Sequence, residues 1–119
     1  MTTVLVIGWD PVAFPEYDPT PVLRGLEHSR ARFAALGIDA HDCLVAPGEG
    51  ALPAITAALR ARAYDCVVVG GGIRSDPDSL ELFEEVVNLS RTHQPGAEIA
   101  FNSSPDGCAE AVLRRLPAA

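Results

Sequence analysis

The sequence predicts a single α/β domain: a Rossmann-like, flavodoxin-like three-layer sandwich in which a four-stranded parallel sheet, order 2-1-3-4, carries helices on both faces. Three observations lead there. Four short apolar runs, residues 4–7, 38–45, 66–69 and 99–101, are spaced along the chain. Each is followed by turn residues and then by apolar residues at helical spacing, so strand and helix alternate as they do where crossovers cover a parallel sheet. The 119 residues suit one domain, and a chain of this length buries about two thirds of the surface its unfolded form exposes. Right-handed crossovers leave few topologies, and 2-1-3-4 is a flavodoxin-like order short of one strand.

Taken in order, Val4-Leu5-Val6-Ile7 is the first strand. A proline-rich loop, residues 10–21, follows it, of a length that serves elsewhere as a lid or as a rigid cover over a sheet edge. Thr20 as N-cap and Pro21 at the first helical position open the first helix, which carries Val22, Leu26, Phe33 and Leu36 at helical spacing before Gly37 ends it. The second helix spans about residues 51–62 with Leu52, Ile55 and Leu59 on one side. The third follows Asp76-Pro77 and holds Leu80, Phe83, Val86 and Val87. The fourth opens at Ser104-Pro105-Asp106, Ser104 reading as its cap, and carries Val112, Leu113 and Leu116. With Leu82 and Leu89 added, the third helix is apolar over about half its circumference, more than the roughly 100° stripe one sheet face needs. A homodimer through that helix or the fourth strand is the partner expectation.

Composition excludes several classes. Hydrophobic residues are 48% and charged residues 21%, which is ordinary for a globular protein, and no apolar run is long enough to span a bilayer. The early apolar run has no basic flank and no cleavage pattern, so the chain reads as cytoplasmic. The net charge is −7 and all nine cations are arginines. With no aromatic residues interleaved among them, nucleic acid and anionic membrane are unsuitable partners. The three cysteines, Cys43, Cys66 and Cys108, contain no C-x-x-C pair, so neither a zinc nor a dithiol site is expected. Cofactor motifs are missing as well. A dinucleotide fold needs G-x-G-x-x-G after the first strand, where only Gly8 stands; the stretch GWDPVAF is not a Ser/Thr-rich flavin-phosphate loop; and a receiver domain needs an aspartate where Gly70-Gly71-Gly72 ends the third strand.

The site expectation follows from topology. For order 2-1-3-4 a ligand lies beyond the strand ends between strands one and three, walled by residues 8–20 and 70–76. Gly70, Gly71 and Gly72 permit positive φ and close approach to the main chain, and Arg74 adds a permanent cation suited to a carboxylate or phosphate. Seven of the nine arginines fall in the later halves of their helices, leaving Arg74 nearly alone at the strand-exit end with Arg24. Asp10, directly after Gly8-Trp9, has no evident capping role and is the candidate general base. Trp9 and Tyr17 supply an apolar wall, and Asn102 and Ser103 are polar groups at the exit of strand four. Cys108, early in its helix, is the candidate nucleophile because a helix N-terminus lowers a thiol pKa. His28, His41 and His93 fall elsewhere, so Cys108 has no base. A weaker alternative gathers a hard divalent cation such as Mg²⁺ with Asp10 and either Glu16 or Asp18. An ion pair of Arg74 with Asp10 or Asp76 is the purely structural reading. The functional expectation is a domain binding a small metabolite, or a small cofactor-free enzyme acting on an anionic carboxylate or phosphate substrate, at this crevice; the alternative is a non-catalytic dimeric regulatory module with a receiver-like fold lacking the phosphoacceptor.

Overall fold

Alternation along the first strand distributes its side chains between two cores. In the computed structural model, which describes residues 1–116, β1 (Thr3–Trp9) sends Leu5 and Ile7 to one face and Val4 and Val6 to the other. The remaining elements are α1 (Thr20–Ala35), β2 (Asp39–Val45), α2 (Ala51–Arg60), β3 (Cys66–Val69), α3 (Gly71–Ser75), α4 (Leu80–His93), β4 (Glu98–Phe101) and α5 (Cys108–Arg115). The sheet is parallel throughout, in the order β2-β1-β3-β4. Leu5 and Ile7 join Ile55 and Leu59 of α2, Ile73 of α3 and Val86 of α4 in one core. Val4 and Val6 join Phe33 of α1 with Cys108, Ala111 and Val112 of α5 in the other. Both central strands are buried on both faces, the usual condition of a parallel sheet, and each fully buried Leu or Ile contributes about 1.5–3 kcal/mol.

Several boundaries differ from expectation for local reasons. Thr20 does not cap α1. Asp18 Oδ1 accepts the Thr20 N–H at 3.0 Å, and these bonds with Thr20 hold the Asp18 carboxyl below its ordinary pKa. At the far end Gly37 takes φ +70° and donates its N–H to Ala34, the left-handed step that glycine accommodates without strain. The second helix stops at Arg60. Gln94 Nε2 donates to the carbonyls of Leu59, in its last turn, and Arg62, just past its end, at 2.6 and 2.7 Å.

The broad apolar surface of α4 is covered largely within the chain. Leu82, Phe83 and Leu89 pack half-buried against the α2-side core, and the Phe83 ring lies 5.8 Å from Phe101. Leu80 stays 58% exposed. The edge strand β4 carries charged contacts at both ends, Arg115 to Glu98 at 2.8 Å and Arg114 Nη2 to the Phe101 carbonyl at 2.6 Å, of the kind that blunt an edge against pairing. No described helix is long and apolar enough to cross a membrane.

Candidate functional site at the strand-exit rim

β1 and β3 are adjacent and parallel, so the segments leaving them meet at one end of the sheet. Main-chain bonds fix both exits: Asp10 N–H to Val45 O and Gly70 N–H to Ile7 O, each 2.8 Å. The triple glycine behaves differently from expectation. Gly71 begins α3, a one-turn helix the sequence reading missed, and Gly70 has φ −67°. The described glycines with positive φ are Gly37 and Gly48. Space, rather than conformation, is what residues 70–72 supply. A Cβ on Gly70 would lie 3.2 Å from Ile7 O, one on Gly71 3.5 Å from Arg74 Nη2 and from Asn102 O, and one on Gly72 3.0 Å from Trp9 Cδ1. The room the glycines leave is occupied by the protein's own atoms.

Asn102 organises one side of α3. It is buried, accepts the Gly71 N–H on Oδ1 at 2.8 Å and donates from Nδ2 to Cys108 Sγ at 3.2 Å. Its carbonyl receives Arg74 Nη2 at 3.0 Å. The anticipated ion pair of Arg74 with Asp10 or Asp76 is not formed; among the described residues Arg74 has no carboxylate within ion-pair distance. The neighbouring acids are engaged locally. Asp10 does cap after all: its Oδ1 accepts the Val12 N–H at 3.1 Å and starts a 3₁₀ turn, Pro11–Ala13. Asp76 accepts from Asp78 N–H at 3.0 Å and Ser79 Oγ at 2.7 Å. Asp106 accepts from Ser104 Oγ at 2.6 Å, which holds its carboxyl below the usual range. Ser104 thus occupies the expected cap position but donates to a carboxylate instead of accepting from the backbone.

Cys108 overturns the expectation of a lowered thiol pKa. It is the first residue of α5 and 1% exposed. Burial pushes the thiol up, outweighing the stabilising bond from Asn102; desolvation of a thiolate exceeds what a helix terminus returns. Tyr17 is 69% exposed on the loop surface rather than walling a crevice, and Ser103 is exposed at the β4 exit. Asp10, Glu16 and Asp18 do not converge, since among the described residues no three His, Cys, Asp or Glu side chains are placed to hold a metal ion. His41 bonds Asp39 Oδ2 at 3.0 Å and Arg62 Nη1 at 2.7 Å, near the start of β2 and away from this rim.

Trp9 lies on the other side of α3. Half-buried, it rests against Gly72 and meets Phe14 edge-on at 5.7 Å. These rings line a groove of about 690 Å³. Pro47, Gly48, Ala51 and Leu52 extend the apolar wall, and Asp76, Asp78, Ser79, Glu81, Leu82, Glu84 and Glu85 form the opposite one. Arg74 does not line it. The sequence reading named Trp9 but missed Phe14, Leu52 and the glutamates Glu81, Glu84 and Glu85. The signal was present in the spacing of Glu81 and Glu85, four residues apart on one face of α4, with Asp78 in the turn just before it. Compared with known proteins, the sequence matches no family model and no curated relative.

Proposed function

We propose that this domain binds a small anionic metabolite through a carboxylate or phosphate group at the strand-exit rim, with Arg74 as the anchoring cation and Gly71, Asn102 and Ser103 beside it. One observation carries the reading. The Arg74 guanidinium is oriented by a neutral acceptor, the carbonyl of buried Asn102, and has no carboxylate partner among the described residues. Its other N–H donors stay available for an anion in the bidentate geometry that guanidinium favours. A charge-assisted bond of this kind contributes about 1.5–3 kcal/mol when desolvated and less at an exposed side chain such as this one. Asp10, Asp76 and Asp106 turn oxygens toward their own backbone or hydroxyl partners, which lessens competition for the guanidinium. The reading is one of binding. Cys108 is sealed beneath Asn102 and offers no nucleophile to a ligand at the surface.

The test is thermal denaturation with inorganic phosphate, citrate and a panel of mono- and dicarboxylates, applied to the wild type, Arg74→Ala and Arg74→Lys. An anion at a hundred times its Kd stabilises by about 2.7 kcal/mol, which for 119 residues is a midpoint rise of about 10 °C. The rise is expected to vanish in Arg74→Ala and to shrink in Arg74→Lys. Flat midpoints across the panel, or equal rises in wild type and Arg74→Ala, reject the reading.

A further inference from the structure

We propose that the groove between Trp9 and α4 is a second binding site, taking a small organic cation whose apolar body lies along the aromatic wall. The groove is independent of the anion reading. Arg74 is absent from its lining, and it opens on the Gly72 side of α3 rather than the Asn102 side. Its volume, about 690 Å³, falls within the range of small-molecule sites.

Charge complementarity selects the occupant. Asp78, Glu81, Glu84 and Glu85 line one wall, and among the described residues none of these carboxylates has an arginine or histidine within ion-pair distance. Asp76 differs, because its oxygens already serve Asp78 N–H and Ser79 Oγ. Like charges three and four residues apart on a helix repel one another. Glu81 stands in that relation to both Glu84 and Glu85, and a bound cation relieves it. The facing wall is aromatic and aliphatic, with Trp9, Phe14 and Leu52. Aromatic rings attract ammonium and guanidinium groups, tryptophan most strongly. A bare metal ion fits poorly, because the acids are spread along a wall rather than gathered at one point. Gly72 leaves room for the indole that lines the groove. A methyl group there would press on Trp9 at 3.0 Å and displace the ring.

Trp9 is the only tryptophan in the chain, so its emission reports on the site directly. The experiment titrates the intact protein with 2-phenylethylamine and benzyltrimethylammonium, using 2-phenylethanol and sodium chloride as controls. The expected result is a saturable emission change with both cations, with the alcohol binding at least about tenfold more weakly. Replacing Glu81 and Glu85 together by Gln is expected to weaken the amine by about tenfold, while Arg74→Ala leaves it unchanged. Gly72→Ala is expected to shift the emission of the free protein and weaken both cations. Circular dichroism confirms that each variant is folded, and the glutamates are exposed helix positions where Gln is well tolerated. Non-saturating titrations, equal affinity for amine and alcohol, or full affinity in the Glu81→Gln, Glu85→Gln protein overturns the proposal.

Discussion

Replacing Asn102 by alanine should cost more stability than any polar residue elsewhere on the rim, and the amount follows from its bonds. The side chain satisfies the Gly71 N–H at 2.8 Å and reaches Cys108 Sγ at 3.2 Å, with 5% of the residue exposed. Alanine leaves the Gly71 N–H, in a partly buried position, without its acceptor, at about 1–3 kcal/mol. Loss of the weaker bond to sulfur and of contact volume adds up to about 1 kcal/mol. A total near 2–3 kcal/mol in a chain of 119 residues lowers the midpoint by about 8–12 °C. The first turn of α3 is tied to β4 by this bond, so Trp9 emission, which senses α3 through Gly72, should change in the folded variant. Urea denaturation followed by far-ultraviolet circular dichroism and by Trp9 fluorescence measures both effects. A loss below about 0.5 kcal/mol, within the range of an ordinary surface substitution, would refute the claim that Asn102 pins α3.

Two further predictions concern the face built from α1 and α5, and the buried thiols. Gly25→Ala, which in an exposed helix interior gains about 1 kcal/mol, should here destabilise by about 1–3 kcal/mol. The added Cβ would sit 2.8 Å from Pro105 Cβ and 3.1 Å from Asp106 N, and Ser29 Oγ already clamps that turn through Pro105 O at 2.6 Å; a raised melting temperature would contradict the packing. Burial pushes the Cys66 thiol up to about 11, against about 8.5 in an unfolded chain. The native state therefore keeps a proton that the unfolded state releases. Stability should be intact below about pH 8.5 and decline as pH rises toward 11, by at most about 1.4 kcal/mol per pH unit from this group. Cys66→Val should flatten that decline in part, since Cys43 and Cys108 are also raised by burial; urea midpoints at pH 8 and pH 10.5 with the same difference in both proteins would count against it.

Sheet order and layers were legible because two different periodicities converged on them. Residues 4–7 and 66–69 are apolar without alternation, which marks strands buried on both faces, and these are the central β1 and β3. Mixed polarity in residues 39–45 marks an edge, and β2 is one. The short elements were not legible in the same way. Two of the five residues of α3 are glycines, the weakest helix formers apart from proline, and Ile73 is its one buried side chain. Its conformation depends on Asn102 and Trp9, thirty and more residues away in sequence, and no local pattern encodes that. Asp10 is the opposite case. The Asp-Pro step at 10–11 repeats the Asp76-Pro77 step, and Ser104-Pro105 is its relative; all three open 3₁₀ turns. Read consistently, the motif assigns Asp10 the capping role its hydrogen bond shows.

Helix α3 explains why the sequence predicts Trp9 and Arg74 around a single crevice and the structure separates them. A topology argument brings residues 8–20 and 70–76 to one rim, and it is correct to that point. It carries no information on which side of the intervening backbone each side chain meets. Once residues 71–75 coil into a helix, consecutive positions differ by about 100°, so Gly71 and Gly72 necessarily look in different directions. Gly71 is turned toward Asn102 and Arg74, and Gly72 toward the indole. The charge expectation divides along the same line. Arg74 and the acids expected at one crevice are separated by α3: the arginine lies with Asn102, and Asp78, Glu81, Glu84 and Glu85 line the aromatic side. The anion site and the cation groove proposed above are therefore separable, and a substitution on one face of α3 is expected to abolish one proposed affinity while leaving the other intact.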